Sequence, residues 1–195
     1  MINEEKLVKE ITSLERVTTE IRDNYFDGKD FNYIRDWLEN HNIDRHTCIE
    51  LECAGVAILI SKPGETEKVL VQIRSSEDNR MGFFGGGIEI GESSVETAIR
   101  ELKEETGIEV YESQLKFLEI NEHDLEYKNG DKVYYKSYIY LLELNYYPSI
   151  KIDSESNGFM MLSKENYKNF TYLEDTKLFQ LQPYLWGTLI KILKI

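Results

Sequence analysis

Apolar residues recur every three or four positions through about the first 40 residues of the chain, which is the period of an α-helix. These apolar positions fall into two sets: Leu7, Ile11, Leu14 and Val17, and then Tyr33, Ile34, Trp37 and Leu38. The run Asp-Gly-Lys-Asp at residues 27–30 separates the two sets as a turn. The pattern predicts a helical hairpin over roughly residues 3–41.

The pattern changes after this hairpin, where short runs rich in β-branched residues are typical of strands. Residues 56–60 and 69–73 are two such runs, and the Ser-Lys-Pro-Gly segment after the first predicts a β-hairpin. The Asn129-Gly130 pair between the runs 115–127 and 133–144 predicts a second one, because this dipeptide fits the tight turns that join antiparallel strands.

Two further elements complete the predicted domain. Residues 159–162 indicate another strand, and residues 178–195 indicate a closing helix in which Pro183 must lie in the first turn or cause a kink. Strands mixed with helices, with several strand pairs formed by hairpins, predict an α/β or α+β domain with a mixed sheet.

The composition narrows the classes of protein to consider. The chain has 195 residues, of which 41% are hydrophobic and 30% charged, as in a soluble globular protein. We expect no membrane segment, because no apolar run approaches the ~20 residues that span a bilayer, and the polar N-terminus favours a cytoplasmic location. The net charge of −13 disfavours a nucleic-acid polymer as partner. A small nucleotide stays compatible if carboxylates hold a divalent cation.

Local signals define one helix more sharply than any other element. Ser93 and Glu96 have the spacing of a capping box, so the helix should begin near Ser94. It should end at Thr106, because Gly107 is a natural C-terminal stop.

Carboxylates crowd one side of this predicted helix. At about 100° per residue, Glu101, Glu104 and Glu105 lie beside the buried face, whereas Arg100 points away towards solvent or the rim. Carboxylates at this spacing repel one another, and a hard cation such as Mg²⁺ or Mn²⁺ would compensate. The three glycines at 85–87 would let the backbone approach and offer carbonyl oxygens. The alternative is a solvated acidic face behind a flexible loop.

The full spacing resembles the Nudix box, G-x5-E-x7-R-E-U-x-E-E-x-G-U with U apolar. The chain matches every specified position, with these residues: Gly86, Glu92, Arg100, Glu101, Leu102, Glu104, Glu105, Gly107 and Ile108. The resemblance covers roughly residues 50–195. We therefore divide the chain into an N-terminal helical extension, residues 1–47, and a Nudix domain, residues 48–195.

The resemblance implies an α/β/α sandwich with a mixed sheet and a hydrolase that uses Mg²⁺ or Mn²⁺. It implies a metal site formed by Glu101, Glu104, Glu105 and the backbone carbonyl of Gly85, or of Gly86. Arg100 would orient a neighbouring glutamate through a charged hydrogen bond, and Glu92 would help to fix the loop against the helix.

Relatives take the general base either from the box or from a later loop, so Glu104 and Glu155 are both candidate catalytic residues beside Arg100. Glu155 is equally compatible with a solvated loop acid.

Three residues outside the metal set are candidates for substrate binding: Arg74, Phe84 and Tyr138. Phe84 stands where relatives often carry a proline before the paired glycines. Tyr138 belongs to a tyrosine-rich strand that could stack a base, although alternating tyrosines are also typical of a core or a sheet surface.

The leading functional hypothesis is metal-dependent cleavage of the pyrophosphate linkage in a nucleoside diphosphate that is linked to another moiety. ADP-ribose, a nucleotide sugar, a CDP-alcohol or a nucleoside triphosphate would each suit this chemistry. The alternative is a catalytically silent nucleotide-sensing or partner-binding domain whose helical hairpin is an interaction surface. A homodimer is compatible with both hypotheses.

Overall fold

The computed structural model describes residues 3–27, 29–75, 80–151, 154, 156–167 and 185–195. The chain divides into two compact units. Unit 1 consists of residues 1–52, 89–91 and 122–136, and unit 2 consists of residues 53–88, 92–121 and 137–195. The predicted boundary between residues 47 and 48 stays a prediction.

Unit 1 contains the helices that the apolar period predicts. Helix α1 is Glu4–Leu14, a short helix α2 at Thr19–Ile21 runs into a π-helical turn at Arg22–Phe26, and helix α3 is Phe31–Asn40. Side chains of Asn3, Thr18 and Asp30 cap the three N-termini by accepting backbone N–H bonds.

The prediction that Val17 lies in the first helix is wrong. Strand β1, Arg16–Val17, pairs in parallel with Cys48 and Ile49, so that Val17 is buried through sheet pairing. The buried core of unit 1 joins it to the predicted apolar faces: Leu7, Ile11, Val17, Ile21, Phe26, Ile34, Leu38 and Ile49. Leu14 and Tyr33 are exceptions among the predicted positions, because about half of each side chain is exposed.

The remaining strands have these bounds: β2 Cys48–Ile60, β3 Lys68–Arg74, β4 Met81–Gly82, β5 Phe84–Gly87, β6 Leu115–Glu126, β7 Lys132–Leu144 and β8 Ser156–Ser163. The five predicted strand runs correspond to β2, β3, β6, β7 and β8, whereas β4 and β5 were not predicted. The sheet has the order β4-β3-β2-β7-β6, and in addition β5 pairs with β2 and β8 with β3. Both predicted hairpins are confirmed: β2 and β3 are antiparallel, and Gly130 turns between β6 and β7 with a left-handed φ of 88°.

Two helices cover the sheet of unit 2. Helix α4, Ser94–Thr106, buries Ala98 and Leu102 with Leu70 of β3, whereas helix α5, Trp186–Leu193, buries Leu189 with Val71 of β3. Successive residues of a strand point to opposite faces, so the two helices lie on opposite sides of the sheet. This arrangement confirms the predicted α/β/α layering with a mixed sheet.

The end of the chain is described only from residue 185. The predicted closing helix is confirmed as Trp186–Leu193, and its expected first part, with Pro183, lies outside the described residues. None of the described helices is long and apolar enough to cross a bilayer.

Candidate functional site

Helix α4 begins and ends at the predicted residues. The Ser93 hydroxyl accepts the Glu96 N–H at 3.4 Å, and the Glu96 carboxylate accepts the Ser93 N–H at 2.8 Å, which completes the capping box. Gly107 takes the left-handed conformation at φ 76° and donates its N–H to Lys103. Both ends of the acidic helix are therefore set by side chains and backbone next to it.

The glycine strand β5 lies against this helix. A Cβ atom at Gly86 would lie 2.3 Å from Oε1 of Glu101, and one at Gly85 would lie 2.2 Å from the carbonyl oxygen of Ala54. At Gly85 the obstacle is backbone, so this position requires glycine, whereas a side chain at Gly86 would displace the Glu101 carboxylate. The glycines thus bring backbone to the carboxylates of α4, as the sequence predicts.

Glu105 is a buried carboxylate held from two sides. It is 3% exposed, its Oε2 accepts the Gly85 N–H at 2.7 Å, and its Oε1 accepts the Gln72 amide at 3.2 Å. Burial raises the pKa of Glu105 to about 7, and the negative charge of Glu101 adds to the rise. The Gly85 N–H, the charge of Arg74 and the Gln72 amide oppose it.

Arg100 connects the other carboxylates of the site. Its guanidinium donates to Glu92 at 2.8 and 3.0 Å, to Glu101 at 2.6 Å and to Glu104 at 3.3 Å. The hydrogen bond with Glu92 is the largest cause that raises the pKa of Arg100. The helical wheel predicted a side chain pointing away; instead it folds back over the acidic side and is 24% exposed.

Glu92 fixes the loop before α4 to the helix. Besides its two bonds with Arg100, it accepts the Thr97 hydroxyl at 2.7 Å. Arg100 also donates to the carbonyl of Gly87 at 3.2 Å, so the glycine strand, the loop and the helix meet at one guanidinium.

The donor set of the site suits a hard divalent cation. Glu101, Glu104, Glu105 and the Gly85 carbonyl offer oxygen atoms only, which Mg²⁺ and Mn²⁺ prefer. Within the described ranges, no three Asp, Glu, His or Cys side chains converge as a preformed cation site. Glu101 and Glu104 contact Arg100 instead, and Glu104 is 60% exposed. The residues fit such an ion chemically, and the ligand assignment is a proposal.

Comparison with known families identifies the domain. The model of the NUDIX domain matches residues 52–177, which is more than half of the chain. The chain belongs to the Nudix family. No curated protein matches the chain. A Nudix domain that carries the complete box supports a pyrophosphohydrolase.

Solved Nudix structures show the same fold. The NUDIX domain of Shewanella oneidensis NrtR, solved with ADP ribose, is 18% identical with a TM-score of 0.53, over 73% of this chain and 84% of that chain. RenU, a Nudix hydrolase from M. smegmatis, is 17% identical with a TM-score of 0.52 over the same shares of 73% and 84%. A NUDIX-family hydrolase from Clostridium perfringens is 20% identical with a TM-score of 0.50, over 73% and 95%.

The remaining predicted site residues are the three substrate-binding candidates and Glu155, and the three candidates differ in burial and in their surroundings. Arg74 ends β3, and its charge lowers the pKa of Glu105, so it lies near helix α4. Phe84 is fully buried and packs on Phe159 with ring centroids 5.7 Å apart, so its side chain belongs to the core and cannot reach a substrate. Tyr138 is partly buried against the core cluster under α4. Glu155 lies outside the described residues.

Sequence reasoning missed Gln72, although a signal was present. The run Val-Leu-Val-Gln-Ile at residues 69–73 contains one polar residue, and the strand period places it on the same face as Leu70. A polar residue at an inward position of a strand indicates a buried hydrogen bond.

Proposed function

We propose that this Nudix protein hydrolyses the pyrophosphate linkage of a nucleoside diphosphate linked to another moiety, with Mg²⁺ or Mn²⁺ as cofactor. The observation that supports the proposal most is the buried Glu105 carboxylate, which Gly85 and Gln72 hold beside Glu101 and the glycine strand. A buried carboxylate next to another carboxylate is favourable where a cation joins them.

The metal ligands in this proposal are Glu101, Glu104, Glu105 and the carbonyl of Gly85. The ion, when bound, would neutralise the pyrophosphate and make water a stronger nucleophile. Arg100 orients Glu101 through its 2.6 Å hydrogen bond, and Arg74 places positive charge near the site.

In the reaction, water attacks phosphorus, the P–O bond of the anhydride breaks, and two phosphate-bearing products leave. Glu104, exposed at the helix surface, accepts the proton of the attacking water. Glu155 is the alternative base.

The proposed substrates are ADP-ribose, nucleotide sugars, CDP-alcohols and nucleoside triphosphates. ADP-ribose has additional support, because it is the ligand named with the S. oneidensis domain. The net charge of −13 disfavours nucleic-acid polymers. A cytoplasmic location and homodimer formation through the N-terminal helices stay predictions.

The test is a substrate panel with three arms: Mg²⁺, Mn²⁺ and chelator, with product release followed for each nucleotide. Glu105→Gln should lower kcat by at least about 100-fold while the circular dichroism spectrum stays unchanged. Glu109→Gln is the control, because that side chain follows α4, is 73% exposed and forms a surface ion pair with Lys103. Full activity of Glu105→Gln would contradict the proposal.

A nucleotide-sensing domain is the second candidate function. It is favoured by the pairing of Arg100 with Glu101 and Glu104, which offsets part of the carboxylate charge without an ion. Equilibrium dialysis with the same panel separates the two functions. Saturable binding of one nucleotide with no cleavage under any metal condition would replace hydrolysis by sensing.

A further inference from the structure

Gln72 is a polar side chain in the middle of a buried strand. It is 0% exposed, and its backbone is paired on both sides, with Gly82 of β4 and Phe159 of β8. Its neighbour on the same face, Leu70, packs in the core under helix α4. The position is therefore one that an apolar side chain would fill without leaving a polar group to satisfy.

The amide of Gln72 is satisfied only in part. Its nitrogen donates to Oε1 of Glu105 at 3.2 Å, and its oxygen has no hydrogen-bond partner among the described residues. A buried polar atom without a partner costs about 1–3 kcal/mol. Packing gives no reason to place an amide here, so the contact with Glu105 is the reason that the structure offers.

Two neutral N–H donors fix the carboxylate of Glu105. The Gly85 N–H binds Oε2 at 2.7 Å and Gln72 binds Oε1 at 3.2 Å, so each oxygen is held and the group cannot rotate freely. A carboxylate oxygen has capacity for more than one partner, so both oxygens can still bind a further electrophile.

We propose that Gln72 is a positioning residue for the cation site, which holds the Glu105 carboxylate in the orientation that ligation requires. This inference rests on the proposed role of Glu105 as a ligand. A neutral amide suits the role, because a lysine or arginine would neutralise the carboxylate and a glutamate would repel it. Gln72 itself contacts neither the ion nor the substrate.

The experiment compares Gln72→Met with Leu70→Met in the full-length protein. Gln72→Met keeps the volume and removes the donor, and Leu70→Met is a volume-conserving change on the same strand face that removes no hydrogen bond to Glu105. Mn²⁺ binding is measured from the electron paramagnetic resonance signal of free Mn²⁺. We expect a Kd about 10–100-fold higher for Gln72→Met and an unchanged Kd for Leu70→Met.

Gln72→Asn guards against a variant that does not fold. It keeps a buried amide but shortens it by one methylene, so the reach to Glu105 is lost and Mn²⁺ binding should again weaken. A Kd equal to that of the wild type in a folded Gln72→Met or Gln72→Asn protein overturns the inference, even if Tm falls.

The outcomes also separate this inference from the proposed function. Wild-type protein that binds Mn²⁺ but cleaves no nucleotide contradicts the hydrolase, while the Kd of the variants still decides the role of Gln72. Hydrolysis by the wild type with unchanged Mn²⁺ affinity of the variants rejects the inference alone. Wild-type protein that binds no Mn²⁺ overturns both.

Discussion

Each compact unit contains an arginine with several hydrogen-bond acceptors, and the two arginines differ in their surroundings. Arg35 of unit 1 is 1% exposed and donates to the carbonyls of Arg45 at 2.6 Å and Lys132 at 3.2 Å, with Asp131 at 3.1 Å as its ion-pair partner. Arg100 of unit 2 is 24% exposed and contacts three carboxylates.

The difference is between a buried arginine with a balanced charge and a partly exposed arginine among the carboxylates of the proposed cation site. Burial lowers the pKa of Arg35, with Asp131 opposing, whereas hydrogen bonding to Glu92 is the main cause that raises the pKa of Arg100. Arg35 meets one carboxylate and neutral carbonyls, so its charge is balanced within the unit. Around Arg100 the carboxylates outnumber the guanidinium, which leaves negative charge that suits a divalent cation.

The largest effect should come from Arg35→Met, because it leaves backbone carbonyls and Asp131 without their buried donor. We expect the free energy of unfolding to fall by about 3–5 kcal/mol, as when one partner of a buried ion pair is removed. The measurement is urea unfolding followed by Trp37 fluorescence. The chain contains 2 tryptophans, so a Trp186→Phe background makes Trp37 the only reporter of unit 1.

Arg45→Met is the control for this prediction. Arg45 lies in the same unit, but its ion pair with Glu39 at 3.4 Å is on the surface, with side chains 42% and 64% exposed. Its loss should cost about 0–1 kcal/mol. Equal destabilisation by both variants would show that burial does not explain the role of Arg35.

The free energy of unfolding should depend on pH with opposite sign for a titrating carboxyl group of each unit, Glu105 in unit 2 and Asp131 in unit 1. In the metal-free protein the pKa of Glu105 is about 7 against an ordinary 4.5, so between these values the folded state binds a proton that the unfolded state releases. This proton stabilises the folded state fully below pH 4.5, and the stabilisation is lost as pH rises through about 7. The free energy of unfolding should fall by about 3 kcal/mol over that range. Urea unfolding from pH 5 to 8 with chelator should show this fall, and Glu105→Gln should remove it.

Asp131 supplies the contrast in unit 1. Burial alone would raise the pKa of Asp131, but hydrogen bonds from His46 and Asn129 and the charge of Arg35 together lower it below 3.8. The contribution of Asp131 to the free energy of unfolding is therefore present above pH 3.8 and is lost as pH falls below that value. The slope between pH 5 and 8 should stay the same in Asp131→Asn, and a changed slope would contradict this assignment.

Local chemistry explains what the sequence could predict. The bounds of α4 follow from Ser93, Glu96 and Gly107, which act within one helical turn, so no distant contact was needed. Val17 was misplaced in a helix because its strand partner, Ile49, is far along the chain. A helical period cannot reveal such a pairing.

Distant partners also explain what was missed in the site. Gln72 reaches a carboxylate 33 residues further along the chain. Phe84 was expected at the substrate because its backbone precedes the glycines, but a strand residue can point into the core. The box identifies residue types and spacing, and only the fold decides which side chains are buried.

The smallest effect in free energy should come from Arg100→Met, and it should appear in activity. We expect kcat on the best substrate of the panel to fall about 10–100-fold, because Glu101 loses its orienting bond. Stability should change by less than about 1 kcal/mol, since the side chain is partly exposed. The kcat of Arg100→Lys, which keeps the charge but loses the forked geometry, should lie between those of the wild type and Arg100→Met.

Lys103→Met is the matched control on the same helix, because Lys103 pairs with Glu109 at 2.8 Å on the surface, with side chains 60% and 73% exposed. Its kcat should equal that of the wild type. If Arg100→Met instead destabilised the fold as strongly as Arg35→Met while kcat of the folded fraction stayed normal, both arginines would be structural. The excess of carboxylates around Arg100 would then be no guide to chemistry, because the guanidinium would be holding the helix to its loop and nothing more.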